Sequence, residues 1–140
     1  MSRVFWDTNL FIYLFENYGS LGRRVKELRR AMLDRGDQLI TSTFTLGEVL
    51  AKPVEAGDNE LIEKYESAIT AAAVMLPFDV RAARIYAKLR GDRSLRAPDA
   101  IQLACAAAAG VDLFITNDAR LHARHVDGIQ FIVSLDRVPF

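Results

Sequence analysis

Two short apolar runs, each ending in an acid, constrain this chain more than any other feature. "VFW" at residues 4–6 runs into Asp7, Thr8 and Asn9, and "LFIT" at residues 113–116 runs into Asn117 and Asp118. Runs this short, with no apolar–polar alternation, suit strands buried on both faces, as in parallel sheets sandwiched between helices. Ligands of such sheets bind outside the carboxyl ends of the strands, where Asp7 and Asp118 would stand. Were the two strands central neighbours, their ends would lie roughly 5 Å apart and both carboxylates would face one small volume. Asp112 begins the second run, some 20 Å away at about 3.3 Å per residue, and is set aside.

The rest of the chain has the same alternating grammar. Strands are expected at 3–6, 38–41, 74–76, 113–116 and 129–133. Between them lie helical periods. Leu21, Val25, Leu28 and Met32 share one face of a segment that Gly36 would stop. Leu61, Ile62, Tyr65, Ala68, Ile69 and Ala72 fall at the spacing of a buried stripe. Asp79 is the expected N-cap of a helix ending at Gly91, and Pro98 opens an alanine-rich helix ending at Gly110. The 140 residues, 51% of them apolar, are expected to form one α/β domain spanning 1–140, with a mostly parallel sheet covered on both faces.

Several function classes lose support. No apolar run approaches the roughly 18 residues of a membrane span and no basic leader precedes one, so a soluble, cytoplasmic protein without membrane contact is expected. The single cysteine, Cys105, admits no internal disulfide and reads as a packed core thiol. Eighteen basic and eighteen acidic residues cancel, unlike a protein held to nucleic acid by a global positive field. Local clusters remain: five basic residues between Arg23 and Arg30 read as a solvated helix face. A second set, Arg81, Arg84, Lys88, Arg90, Arg93 and Arg96, leads up to "APDA" and flanks a candidate site.

Two further acids have unusual settings. Glu48 lies among apolar residues in "STFTLGEVL", and Asp99 lies in the first turn of the alanine-rich helix. Buried charges of this kind need a cation or hydrogen-bond donors. Each acid also has a structural explanation. Asp7 would suit an Asx-turn, Glu48 a capping box with Thr45, Asp99 the positive end of a helix dipole, and Asp118 the N-cap of the turn "ARLHAR". The functional reading is a hard-metal site. Converging carboxylates repel one another until a divalent cation binds, and Mg²⁺ or Mn²⁺ prefers oxygen ligands. Zinc is disfavoured because Cys105 is isolated and neither His122 nor His125, both expected at the surface, has a suitable partner. No phosphate-binding glycine loop or nucleophile elbow appears.

"DTN" after an opening strand, "TLGE", "PDA" at a helix start and "TND" after a late strand together resemble the PIN-domain nucleases. Their order and spacing are most similar to the VapC-type toxins of toxin–antitoxin pairs. The resemblance implies an α/β/α sandwich around a five-stranded parallel sheet, and Mg²⁺- or Mn²⁺-dependent endoribonuclease activity. It makes Asp7, Glu48, Asp99 and Asp118 the acidic quartet, with Asp7 and Asp99 as direct ligands and Glu48 and Asp118 binding directly or through water. Thr8, Asn9, Thr116 and Asn117 become the polar shell that orients waters and carboxylates. It also implies an RNA substrate, a cognate antitoxin protein and a homodimer. One departure stands out: some relatives carry another acid two residues beyond "TND", where this chain has Arg120.

Metal-activated water attacking phosphorus in line is the mechanism this implies, with Arg93 and Arg96 as candidate contacts to RNA phosphates. Three rivals remain open. One is a PIN-like module that holds metal and RNA without cutting. Another is a metal-dependent phosphatase, although residue 9 is Asn where an aspartyl-phosphate enzyme would carry a second Asp. The third is an interaction protein whose aromatic stretch, Phe11 to Tyr18, forms an interface while the acids are structural.

Overall fold

Val4, Phe5 and Trp6 are all buried, the Trp6 indole N–H without a hydrogen-bond partner, and so are Leu113, Phe114 and Ile115. The computed structural model, which describes residues 1–140, places them in two adjacent central strands. Five parallel strands form one sheet: β1 (Arg3–Trp6), β2 (Gln38–Ser42), β3 (Val74–Leu76), β4 (Val111–Ile115) and β5 (Ile129–Val133). Their spatial order is β3-β2-β1-β4-β5. The winding direction therefore reverses between β1 and β4, which opens a crevice at the carboxyl ends of those two strands.

Six helices cover the sheet: α1 (Thr8–Phe15), α2 (Ser20–Arg35), α3 (Thr43–Glu55), α4 (Asn59–Ala72), α5 (Val80–Leu89) and α6 (Ala97–Ala109). Alternation along the strands assigns the faces. Val4, Trp6 and Ile115 pack with Leu10, Met32 and Val49 of the first group of helices. Phe5 and Phe114, opposite each other in register, point the other way and join Leu103 and Ala106 of α6. Their rings stack at 4.8 Å. Burying a side chain of this class stabilises by about 1.5–3 kcal/mol, so the central strands anchor both layers. The α/β/α sandwich with a five-stranded parallel sheet is as expected.

Differences from the sequence reading are local. The fourth strand runs from Val111 to Ile115, leaving Thr116 just beyond its end. The apolar pattern of α4 overstates its burial, because only Ile69 is buried and Ala68 and Ala72 are exposed. α4 packs chiefly against α3, beyond the central strands, so no second layer covers its far side. The α3 N-cap is Ser42, whose hydroxyl accepts from the Thr45 amide, so Thr45 and Glu48 form no capping box. Asp79 and Gly36 cap their helices as expected. Cys105 is buried 3.7 Å from the Pro77 carbonyl, and burial pushes its thiol up to about 11, an inert packed group. The stretch from Phe11 is largely core: Phe11 is buried and Phe15 stacks on Tyr65 at 4.7 Å, while Tyr18 stays exposed. No helix is long and apolar enough to cross a membrane.

One glycine fixes the α6–β5 junction. Gly128 has φ 97°, and a Cβ there would lie 2.4 Å from the Ala107 carbonyl oxygen. Both strain and overlap oppose substitution, so Gly128→Ala should cost about 2 kcal/mol. Urea unfolding measures this, and a loss below about 0.5 kcal/mol, the usual surface level, would show that the turn yields.

Candidate active site at the sheet switch point

Asp7 follows β1 directly, and its amide donates to the Ile115 carbonyl at 3.0 Å, extending the ladder one residue past the strand. Thr116 is held likewise by the Val133 carbonyl at 3.0 Å. Each main chain is thus rigid where it enters the crevice. Asp7 also caps α1, since its Oδ1 accepts from the Thr8 amide at 2.9 Å. The local capping role and a role in the crevice coexist, because a carboxylate has two oxygens. The other, Oδ2, accepts from the Thr116 hydroxyl at 2.7 Å.

The four acids singled out in the sequence arrive on different elements and line one cavity of about 430 Å³: Asp7, Glu48 from α3, Asp99 from the first turn of α6 and Asp118 after β4. Thr8, Asn9 and Arg96 line it too. Glu48 is exposed rather than packed, and its Oε1 accepts from the Thr8 hydroxyl at 2.5 Å. Asn9 Oδ1 lies 3.5 Å from the Asn117 amide, and Asn117 Nδ2 lies 3.5 Å from the Tyr13 hydroxyl. Asp118 caps the short 3₁₀ turn at 119–121, and its own amide donates to the Thr116 hydroxyl at 3.1 Å.

The two ends of this cavity differ electrostatically. Burial pushes the Asp7 carboxyl above the usual aspartate range, against the lowering effect of its Thr116 and Thr8 hydrogen bonds. The charges of Glu48 and Asp99 add to the rise. Asp118 is held below that range, chiefly by hydrogen bonding from the Arg120 guanidinium. Arg120 Nη2 also reaches Asp99 Oδ2 at 3.3 Å, and Arg96 Nε lies 3.6 Å from the same oxygen. One end thus carries carboxylates without a cation, and the other is already paired.

Sequence reasoning missed the residue that ties the site together. Gln102 is 2% exposed. Its amide nitrogen lies 2.7 Å from the Thr45 hydroxyl, 3.1 Å from that of Thr8 and 3.3 Å from Asp7 Oδ1. Its carbonyl accepts from the Ser42 hydroxyl, the cap of α3. The signal was present: Gln102 stands three residues after Asp99, on the same helical face, as a polar side chain in an otherwise apolar buried helix. His122, expected at the surface, is half-buried with Nε2 2.7 Å from the Thr116 carbonyl. The turn after Asp118 folds back over β4, which brings that ring inward.

The second basic set is divided. Arg96 lines the acidic cavity, whereas Arg93 is exposed and outside its lining. Arg81, Arg84 and Lys88 line a different cavity of about 650 Å³ with His125 and Gly128, near the amino end of β5. That cavity is larger, but its only acid is Asp127, so it gathers no comparable set of carboxylates. The acidic cavity supplies only oxygen donors of carboxylate, hydroxyl and amide type, which suit a hard divalent cation in kind. No three acidic or imidazole side chains close on a single point as a preformed cage.

Fold and site together define an α/β/α protein with an acid-lined crevice at the switch point of a parallel sheet. The chain belongs to the PIN domain family, whose model matches residues 4–127. Among solved structures it is similar to VapBC2 from Rickettsia felis bound to a promoter DNA fragment, at 15% identity and a TM-score of 0.72 over 94% of this chain and 97% of that one. A toxin–antitoxin complex from Klebsiella pneumoniae matches at 23% identity and a TM-score of 0.66, covering 90% of this chain and 94% of the other. VapBC-5 from Mycobacterium tuberculosis matches at 20% and 0.62, covering 96% and 99%. A search of curated proteins finds no match.

Proposed function

We propose that this chain is a Mg²⁺- or Mn²⁺-dependent endoribonuclease acting as the toxin of a toxin–antitoxin pair. The observation that carries the reading is the convergence of Asp7, Glu48, Asp99 and Asp118 on one cavity at the sheet switch point. Membership of the PIN domain family supports the nuclease, and the likeness to toxin–antitoxin complexes supports an antitoxin partner. The homodimer implied by the sequence resemblance is part of the same proposal.

In this reading Asp7 and Asp99 would hold a divalent ion, and Glu48 and Asp118 would reach it directly or through water. The ion supplies Lewis-acid charge stabilisation and an acidified water. Thr116 and Thr8 fix the rotamers of Asp7 and Glu48, so carboxylate positions are set before substrate arrives. Glu48, the most solvent-accessible of the four acids, accepts the proton of the attacking water. Arg96, at the cavity wall, pairs with a backbone phosphate of the RNA. In-line attack on phosphorus leaves a 5′-phosphate and a 3′-hydroxyl.

The test uses the purified chain, freed of any bound protein, with structured and unstructured RNAs in Mg²⁺, Mn²⁺ or EDTA. Cuts bearing 5′-phosphates are expected with either cation and none in EDTA. Intact RNA under every condition, with metal binding demonstrated, would replace this reading with a non-cutting metal and RNA module.

A further inference from the structure

We propose that Arg120 is a built-in cation of the acidic site, standing where a second divalent ion would otherwise bind, so that each chain takes one metal ion. This rests on the metal-dependent reading above and specifies how that site is loaded.

The geometry is that of a clamp between two elements. Arg120 Nε donates to Asp118 Oδ1 at 2.9 Å and its Nη2 donates to Asp118 Oδ2, a two-pronged pairing of guanidinium and carboxylate. The same Nη2 reaches Asp99 Oδ2 at 3.3 Å on α6. The backbone adds a third restraint, since the Arg120 amide donates to Asp118 Oδ1 at 3.1 Å. One guanidinium thereby bridges two carboxylates of the proposed quartet. Ions of a two-metal site stand about 3.5–4 Å apart and share acids in this way. Lysine would lack the planar fork that makes both contacts at once.

Charge counting points in the same direction. Four carboxylates meet two guanidiniums, those of Arg96 and Arg120, which leaves two negative charges. One divalent ion balances them. A second ion would add uncompensated positive charge and would have to displace Arg120 from Asp118. Asp7, which no arginine or lysine side chain touches, marks the end where the single ion would bind together with Asp99, leaving Glu48 and Asp118 to reach it through water. The pairing of Arg120 is half-exposed and worth little as stability, so its consequence is occupancy of the site.

Mn²⁺ titration by calorimetry, with electron paramagnetic resonance of the bound ion, tests this on the chain freed of any partner protein. The wild type should bind one Mn²⁺ per chain with the spectrum of an isolated ion. Arg120→Ala should bind two and show a spin-coupled pair, and Arg120→Gln should do the same. Thermal melts should show both variants folded, because the Arg120 side chain is 46% exposed. Two ions in the wild type, or one ion in both variants, would overturn the inference and leave the metal-dependent reading standing. No Mn²⁺ bound by the wild type would overturn that reading, and this inference with it.

Discussion

Asp7→Asn should abolish RNA cleavage while the metal-free protein melts no lower than the wild type. Asp7 enters the crevice on a main chain fixed by β4, with both oxygens engaged by Thr8 and Thr116. Asparagine keeps the shape and can still accept from the Thr8 amide, but it removes the charge that would hold the cation. Lewis-acid stabilisation is worth several kcal/mol, and at about 1.4 kcal/mol per factor of ten the loss in rate should be about a thousandfold or more. Stability moves differently. The Asp7 carboxyl is raised above its ordinary value chiefly by burial, so its contribution to stability is fully present below the unfolded-state value. That contribution is lost as pH rises through the folded-state value. Above the unfolded-state value the burial that raises this carboxyl is a net cost that asparagine lacks. Saturating Mg²⁺ should then raise the melting temperature of the wild type alone, because only a folded site that binds the ion gains from it. Retained cleavage in the variant would remove Asp7 from the reaction, and a lower metal-free melting temperature would show that its hydrogen bonds outweigh the cost of its charge.

Gln102→Ala should be the most destabilising change in the site, although Gln102 is neither acidic nor exposed to substrate. Its side chain joins α6 to Ser42, Thr45, Thr8 and Asp7. Truncation takes the acceptor from the Ser42 hydroxyl and a donor from that of Thr45, both fully buried, leaving them the Thr45 amide and the Thr41 hydroxyl respectively, and opens a polar void. At about 1–3 kcal/mol for each unsatisfied buried group, a loss of about 3 kcal/mol is expected. For a chain of this length that is a drop on the order of 10 °C in melting temperature. Cleavage should fall as well, since Thr8, which positions Glu48, loses its donor. A loss under about 1 kcal/mol, the net worth of one ordinary hydrogen bond, would show that water replaces the amide.

Much of this architecture was legible before any coordinates. "VFW" and "LFIT" announced central buried strands, and the acids after them announced the crevice, because burial on both faces leaves a local, contiguous signature. Helix stops at Gly36 and Gly110 were legible for a related reason, since a left-handed residue closes the last turn whatever surrounds it. The α4 stripe misled because periodicity reports which face is apolar and says nothing of whether a neighbour covers it. The Thr45–Glu48 pattern misled because the competing cap, Ser42, begins the helix one turn earlier.

What the sequence by itself determined is the alternation of elements, the family resemblance and the identity of the acids. These follow from residue type and spacing over a few neighbours. Only the tertiary structure decided which side chains meet. The placing of Gln102 against Asp7, 95 residues away, and of Arg120 across Asp118 and Asp99, depends on strand order and helix docking. Those are set by the whole core at once, and no short stretch of chain encodes them.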